Sequence, residues 1–158
     1  MERKFFMFTV QKPHDEWESY HDIDKYGKLT LSNIEFTTTN LCNMRCSHCA
    51  VGYTLLTKEL PTIPTDEIIR KLDEVETLRT MSFTGGEPLM TKKGIKDNLL
   101  PLLKYAKSRN IKTQINSNLT LPMSHYELVA PYLDVMHISH NWCDEKEFIE
   151  TGFAMMDK

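Results

Sequence analysis

No apolar run in the sequence approaches the roughly 20 residues needed to cross a bilayer. The apolar stretch from Phe5 to Val10 is too short for a signal-peptide core, and no small-residue cleavage site follows it. A membrane partner and a secretory leader are therefore not expected. The chain also lacks a basic stripe: its 19 Lys and Arg residues are dispersed among 22 Asp and Glu, for a net charge of -3. Nucleic acid is not the default partner of such a surface. Cysteine is limited to 4 residues. In a reducing, cytoplasmic setting, the simplest expectation here, metal binding or catalysis is expected of them before a disulfide framework. What is present, 41% hydrophobic and 26% charged residues in 158, suffices for one globular domain with a buried core.

Residues 1–31 are polar with scattered aromatics, Trp17, Tyr20 and Tyr26, and read as an irregular or partly helical amino-terminal extension. The periodic part, residues 32–158, reads as one domain. "NIEFTTT" alternates, with Ile34, Phe36 and Thr38 on one face, and its β-branched content suits a strand. "PTIPTDEIIRKLDEVETLR" predicts a helix with Thr65 as N-cap, acids in the first turn and an apolar stripe of Ile68, Ile69, Leu72, Val75 and Leu78. "TMSFT" is a second strand, closed by Gly85-Gly86 and Pro88. A helix capped at Asp97 or Asn98 then holds Pro101 in its first turn. "IKTQIN", a helix from Ser124 stopped by Pro131, and "DVMHIS" complete the pattern, and another helix or a frayed tail follows. Strands alternating with helices imply α/β architecture with parallel βα repeats, whose ligand site lies at the carboxyl ends of the strands.

Cys42, Cys46 and Cys49 fall in the loop after the first strand, at that functional edge. Three chemistries suit their spacing. Zinc would need His48 or the distant Cys143 as fourth ligand, and His48 is flanked by Ser47 and Cys49. A redox dithiol normally opens a helix without a third upstream cysteine. Three thiolates can also hold three irons of a [4Fe-4S] cluster and leave one iron for another ligand. The Gly-Gly-Glu-Pro run is, alone, a tight turn after a strand.

Together the two segments carry a resemblance. "CNMRCSHC" resembles the Cys-x3-Cys-x-aromatic-Cys signature of the radical S-adenosylmethionine (radical SAM) superfamily, and "FTGGEPLM" resembles its Gly-Gly-Glu-Pro element. The resemblance implies a partial (β/α)6 TIM-like barrel, of which about four of six units are present. It implies a [4Fe-4S] cluster on Cys42, Cys46 and Cys49, with S-adenosylmethionine on the remaining iron. One electron from a low-potential donor of the flavodoxin or ferredoxin type would cleave the sulfonium to methionine and a 5′-deoxyadenosyl radical. On the same resemblance, Gly85, Gly86 and Glu87 meet the methionine ammonium, and His48 takes the aromatic position near the adenine. Ser117 and Asn118 of "NSNLTL" are similar to the family's Thr-Asn-Gly element, with Leu119 where Gly is usual. Ser139 of "ISHNW" is similar to its Ser-x-Asp element, with Asn141 in place of Asp.

Glu35, Gln114 and Asn116 are expected to face a polar barrel interior, while His137, His140 and Cys143 have packed or solvated roles as the simpler reading. Because the family's later strands are not matched, the expectation is a truncated or split enzyme, or one completed by a second polypeptide. The alternative is a non-catalytic zinc or iron-sulfur module, or an inactive fragment. The substrate is not legible.

Overall fold

Alternating β-branched and apolar residues give β1 (Asn33–Thr39), β2 (Thr80–Gly85), β3 (Lys112–Ser117) and β4 (Val135–Ile138). All pairings are parallel, in the order β1-β2-β3-β4, as the α/β pattern predicts. The computed structural model describes residues 21–139 apart from Ser47 and Glu59. His140, Asn141, Cys143 and the expected terminal helix lie outside the described residues.

Register separates the two faces of this sheet. Phe36 is paired with Phe83 and Phe83 with Ile115, and Ile115 is paired with Met136, so these side chains share one face. Their neighbours in the core are Leu72, Leu99, Leu103, Ala106 and Val129 from the helical connections. The Phe36 and Phe83 rings stack with centroids 5.7 Å apart. Burying each large core side chain stabilises the fold by about 1.5–3 kcal/mol. The opposite face is polar: Glu35 is aligned with Ser82 and Ser82 with Gln114, and one step along Asn116 is paired with His137. Gln114 donates to Ser82 Oγ, and its Oε1 lies 3.2 Å from His137 Nε2. Glu35, Gln114 and Asn116, expected to face a polar barrel interior, share this polar face with His137, and Glu35 and His137 are exposed on it.

The helices are α1 (His21–Tyr26), α2 (Thr65–Leu72), α3 (Lys92–Gly94), α4 (Leu100–Ser108) and α5 (Met123–Val129). Several boundaries differ from the sequence reading, and the differences around α2 and α4 have visible causes. Thr65 is the first residue of α2 rather than its cap, and its hydroxyl donates to the Asp97 carbonyl at 3.2 Å. α2 ends at Leu72, before Val75 and Leu78, while Asp73 accepts from Tyr105 and Arg109 on and beside α4. The third helical region begins far earlier than Asp97. Thr91 Oγ1 caps α3 by accepting from Gly94 N at 3.0 Å, and a π-helical stretch, Ile95–Leu99, leads into α4. The wider π turn accommodates Pro101, which has no N–H for the Asp97 carbonyl that Thr65 satisfies instead. α4 closes on Asn110 at φ 55°, with Ile111 N bonded to Ala106 O and Asn110 N to Lys107 O.

The described part of the amino-terminal extension, from residue 21 onward, is anchored. Asp22 on α1 is buried, and it accepts from Arg79 Nη1 at 2.8 Å and Nη2 at 3.1 Å, and from Thr30. Arg79 precedes β2, so the ion pair ties α1 to the amino-terminal end of the sheet, opposite the cysteine edge.

Candidate cofactor site

Leaving β1, the chain enters a loop pinned at its base by the bridge between Leu41 and Leu56, with Leu56 N donating to Asn40 O at 2.9 Å. Met44 is the loop's apolar anchor and is fully buried. Arg45 Nη1 donates to the carbonyls of Cys42 and Met44 at 2.9 and 2.8 Å, and Cys49 N donates to Cys46 O at 3.1 Å. None of Cys42, Cys46 and Cys49 is disulfide-bonded, and each is partly exposed. They line one cavity of about 250 Å3 with His48, Gly85, Gly86, Glu87, Asn118 and Ser139. Four elements distant in sequence thus converge at the carboxyl edge of the sheet.

Burial pushes the Cys42 thiol up, against a lowering hydrogen bond from Met44 N, and burial raises Cys46 as well. Such thiols ionise fully when a cation compensates, as a thiol-ligated metal does. Among the described residues no three His, Cys, Asp or Glu side chains stand close enough to form a ready-made metal site. The donor set itself, three soft thiols facing one cavity, fits an iron-sulfur cluster.

Gly85 and Gly86 serve the chain first. Gly85 has φ 129°, and a Cβ there would stand 2.4 Å from the Thr39 carbonyl oxygen. Gly86 N donates to that oxygen at 2.8 Å, and Glu87 N donates to Leu41 O at 2.7 Å. The glycine turn is therefore clamped to the root of the cysteine loop. Glu87 is almost completely buried, and burial holds its carboxyl above the usual range. Its Oε1 accepts from Ser117 Oγ at 2.9 Å and Leu89 N at 3.2 Å, and its Oε2 accepts from Asn118 N at 2.8 Å. It braces the β2 loop against the β3 loop. Ser117 lies behind Glu87, buried and away from the cavity lining.

Sequence reasoning missed Asn43 and Thr120. Asn118 Nδ2 donates to Asn43 Oδ1 at 2.9 Å, and Asn43 Nδ2 donates to Thr120 Oγ1 at 2.7 Å. These bonds join the cysteine loop to the β3 loop, and no local pattern signals a pairing of that range. Leu119 adopts φ 57°, the left-handed conformation natural to the glycine it replaces.

A parallel α/β sheet with a three-thiol loop and a clamped glycine turn at one edge defines a cofactor-binding half-barrel. The Radical SAM superfamily model matches residues 36–150. The chain belongs to that superfamily, whose members bind a [4Fe-4S] cluster and S-adenosylmethionine. It is 56% identical over 144 residues to the protein YfkA of Bacillus subtilis (strain 168), covering 91% of this chain and 39% of that one. It is 30% identical over 120 residues to GTP 3',8-cyclase of Petrotoga mobilis, covering 74% of this chain and 36% of the relative. The chain thus spans well under half the length of these relatives. The fold is similar to that of Streptococcus suis SuiB bound to precursor peptide SuiA, with a TM-score of 0.59 at 21% identity over 84% of this chain and 29% of SuiB. Among the described residues no helix is long and apolar enough to cross a membrane.

Proposed function

We propose that this chain is the cofactor-binding part of a radical SAM enzyme, with Cys42, Cys46 and Cys49 holding a [4Fe-4S] cluster. The observation that carries this reading is the convergence of the three thiols, the Gly85-Gly86-Glu87 turn, His48, Asn118 and Ser139 on one cavity. Bound there, the cluster and S-adenosylmethionine supply one-electron reductive cleavage of a sulfonium. The chain's residues place and enclose them. Carbonyls of the clamped glycine turn present acceptors for the methionine ammonium, and Glu87 fixes that turn. His48 offers an aromatic face to the adenine. Ser117 acts on the site through Glu87 rather than by touching a ligand.

A second cavity, of about 410 Å3, adjoins the first through Thr84 and Gly85 and is lined by Glu35, Thr37 and Asn40. This cavity, against the polar face of the sheet, is the proposed substrate site, supported by its contact with the first cavity. Electrons come from a low-potential donor of the flavodoxin or ferredoxin type. Among the described residues the four-stranded sheet is open, and further strands, from a second polypeptide or a longer form of this chain, complete the enclosure.

His48 shares the cavity with the three thiols, so a non-catalytic zinc module is the competing reading. Anaerobic reconstitution followed by metal analysis separates the two. About four iron and four sulfide per chain supports the proposal. A colourless protein retaining one zinc contradicts it.

A further inference from the structure

Asn118, Asn43 and Thr120 form a closed ring of hydrogen bonds beside Cys42, and its polarity follows from one donor whose identity is unambiguous. The Thr120 backbone N–H reaches Asn118 Oδ1 at 3.1 Å, which makes that atom the acceptor and turns Nδ2 the other way. Nδ2 therefore donates to Asn43 Oδ1 at 2.9 Å, leaving Asn43 Nδ2 to donate to Thr120 Oγ1 at 2.7 Å. The Thr120 hydroxyl, having accepted, donates to Asn118 Oδ1 at 2.7 Å and closes the ring. Asn118 Oδ1 now has both lone pairs engaged, and Nδ2 has one hydrogen left. That hydrogen lies on the side of Cys42 Sγ, 4.0 Å from Nδ2. Met44 N approaches the same sulfur at 3.4 Å.

We propose that Asn118 is a positioning residue whose amide donates to the Cys42 sulfur, locked in that orientation by Asn43 and Thr120, and so sets the reduction potential of a cluster held there. The inference rests on the cluster reading above, and it gives Asn118 a role toward sulfur in place of a contact with S-adenosylmethionine. Donors to cluster sulfurs stabilise the more negative, reduced state and raise the potential. The backbone donor from Met44 is present in any variant; the Asn118 donor is the adjustable one.

The test is a redox titration of the anaerobically reconstituted full chain, monitored by the signal of the reduced cluster. Asn118→Leu removes the donor, and Thr120→Val opens the ring while keeping its volume. Thr120→Ser keeps the hydroxyl. The expected result is a tenfold change in the oxidised-to-reduced ratio for Asn118→Leu, about 59 mV more negative for one electron. Thr120→Val shifts the same way by less, and Thr120→Ser stays at the wild-type value. If Asn118→Leu takes up no cluster, the Thr120 pair decides. A wild-type potential in Asn118→Leu and Thr120→Val, or a Thr120→Ser shift as large as that of Thr120→Val, overturns the inference alone. A wild-type chain that takes up no cluster overturns the cofactor reading and this inference with it.

Discussion

Gly86 lies directly beneath the backbone of Leu41: a Cβ at position 86 would stand 2.1 Å from the Leu41 carbonyl oxygen and 2.6 Å from its carbon. The contact is backbone against backbone, with no flexible side chain to yield. Gly86→Ala must therefore displace the root of the cysteine loop. The expected result is a loss of about 1–3 kcal/mol in urea unfolding, together with reduced iron uptake on reconstitution. A Gly86→Ala chain with wild-type midpoint and iron content would show that the clamp is dispensable.

Glu87 carries a pH dependence of definite sign. Burial makes its carboxyl hold a proton more firmly in the folded chain than in the unfolded one, whose value is about 4.3. Between that value and the raised folded value the native state binds more protons, so stability falls as pH rises through the window. Glu87→Gln removes this slope. It also sets an amide N–H2 among the donors of Ser117, Leu89 and Asn118, at a loss of about 1–3 kcal/mol. Urea midpoints of both proteins, measured across mildly acidic pH, check both effects; parallel curves would refute the assignment.

Leu119 is held at φ 57° and is 47% exposed. An L-residue in this conformation loses about 1–2 kcal/mol, whereas glycine adopts it freely at a smaller entropic loss. Leu119→Gly is expected to leave stability unchanged or raise it by up to about 1 kcal/mol. Leu119→Val, β-branched in the same conformation, is expected to lower it by about 1 kcal/mol. Thermal unfolding of the pair checks the ordering, and a reversal would refute it.

Asp22 is held below the usual carboxylate range by hydrogen bonds from Arg79 and then Thr30. Its contribution is fully present above the unfolded value, about 3.9, and disappears as pH falls through the depressed folded value. Asp22→Asn weakens the tie between α1 and the start of β2. Trypsin is therefore expected to cleave at Lys25 and Lys28 faster in that variant at neutral pH. Equal cleavage rates would show that α1 is held by other contacts.

Much of this architecture was legible because short-range patterns reported it. The alternation of Ile34 with Phe36, and of Thr113 with Ile115, marked both strands and their buried faces. The cysteine and glycine segments were recognisable as motifs, and the sheet brought them to one cavity. The reading failed where distant partners decide. The helix expected to be capped at Asp97 or Asn98 belongs to a helical region that begins at Lys92, where a π turn and the Thr65 hydroxyl accommodate Pro101. The Ser117 hydroxyl donates to the buried Glu87 across thirty residues, a partner that no local pattern signals. Asp22 gave no sign of meeting Arg79, and Asn43 gave none of meeting Thr120, because such pairs exist only once the sheet has formed.

The central claim, that the cavity bordered by Cys42, Cys46 and Cys49 binds a cluster with S-adenosylmethionine on it, is tested most directly by electron paramagnetic resonance. The reconstituted, reduced chain is measured before and after S-adenosylmethionine is added. The account predicts a reduced-cluster signal that changes on addition, and the loss of that signal when any one of the three cysteines is replaced by alanine. A signal unaffected by S-adenosylmethionine, or one that survives the three single replacements, would contradict it.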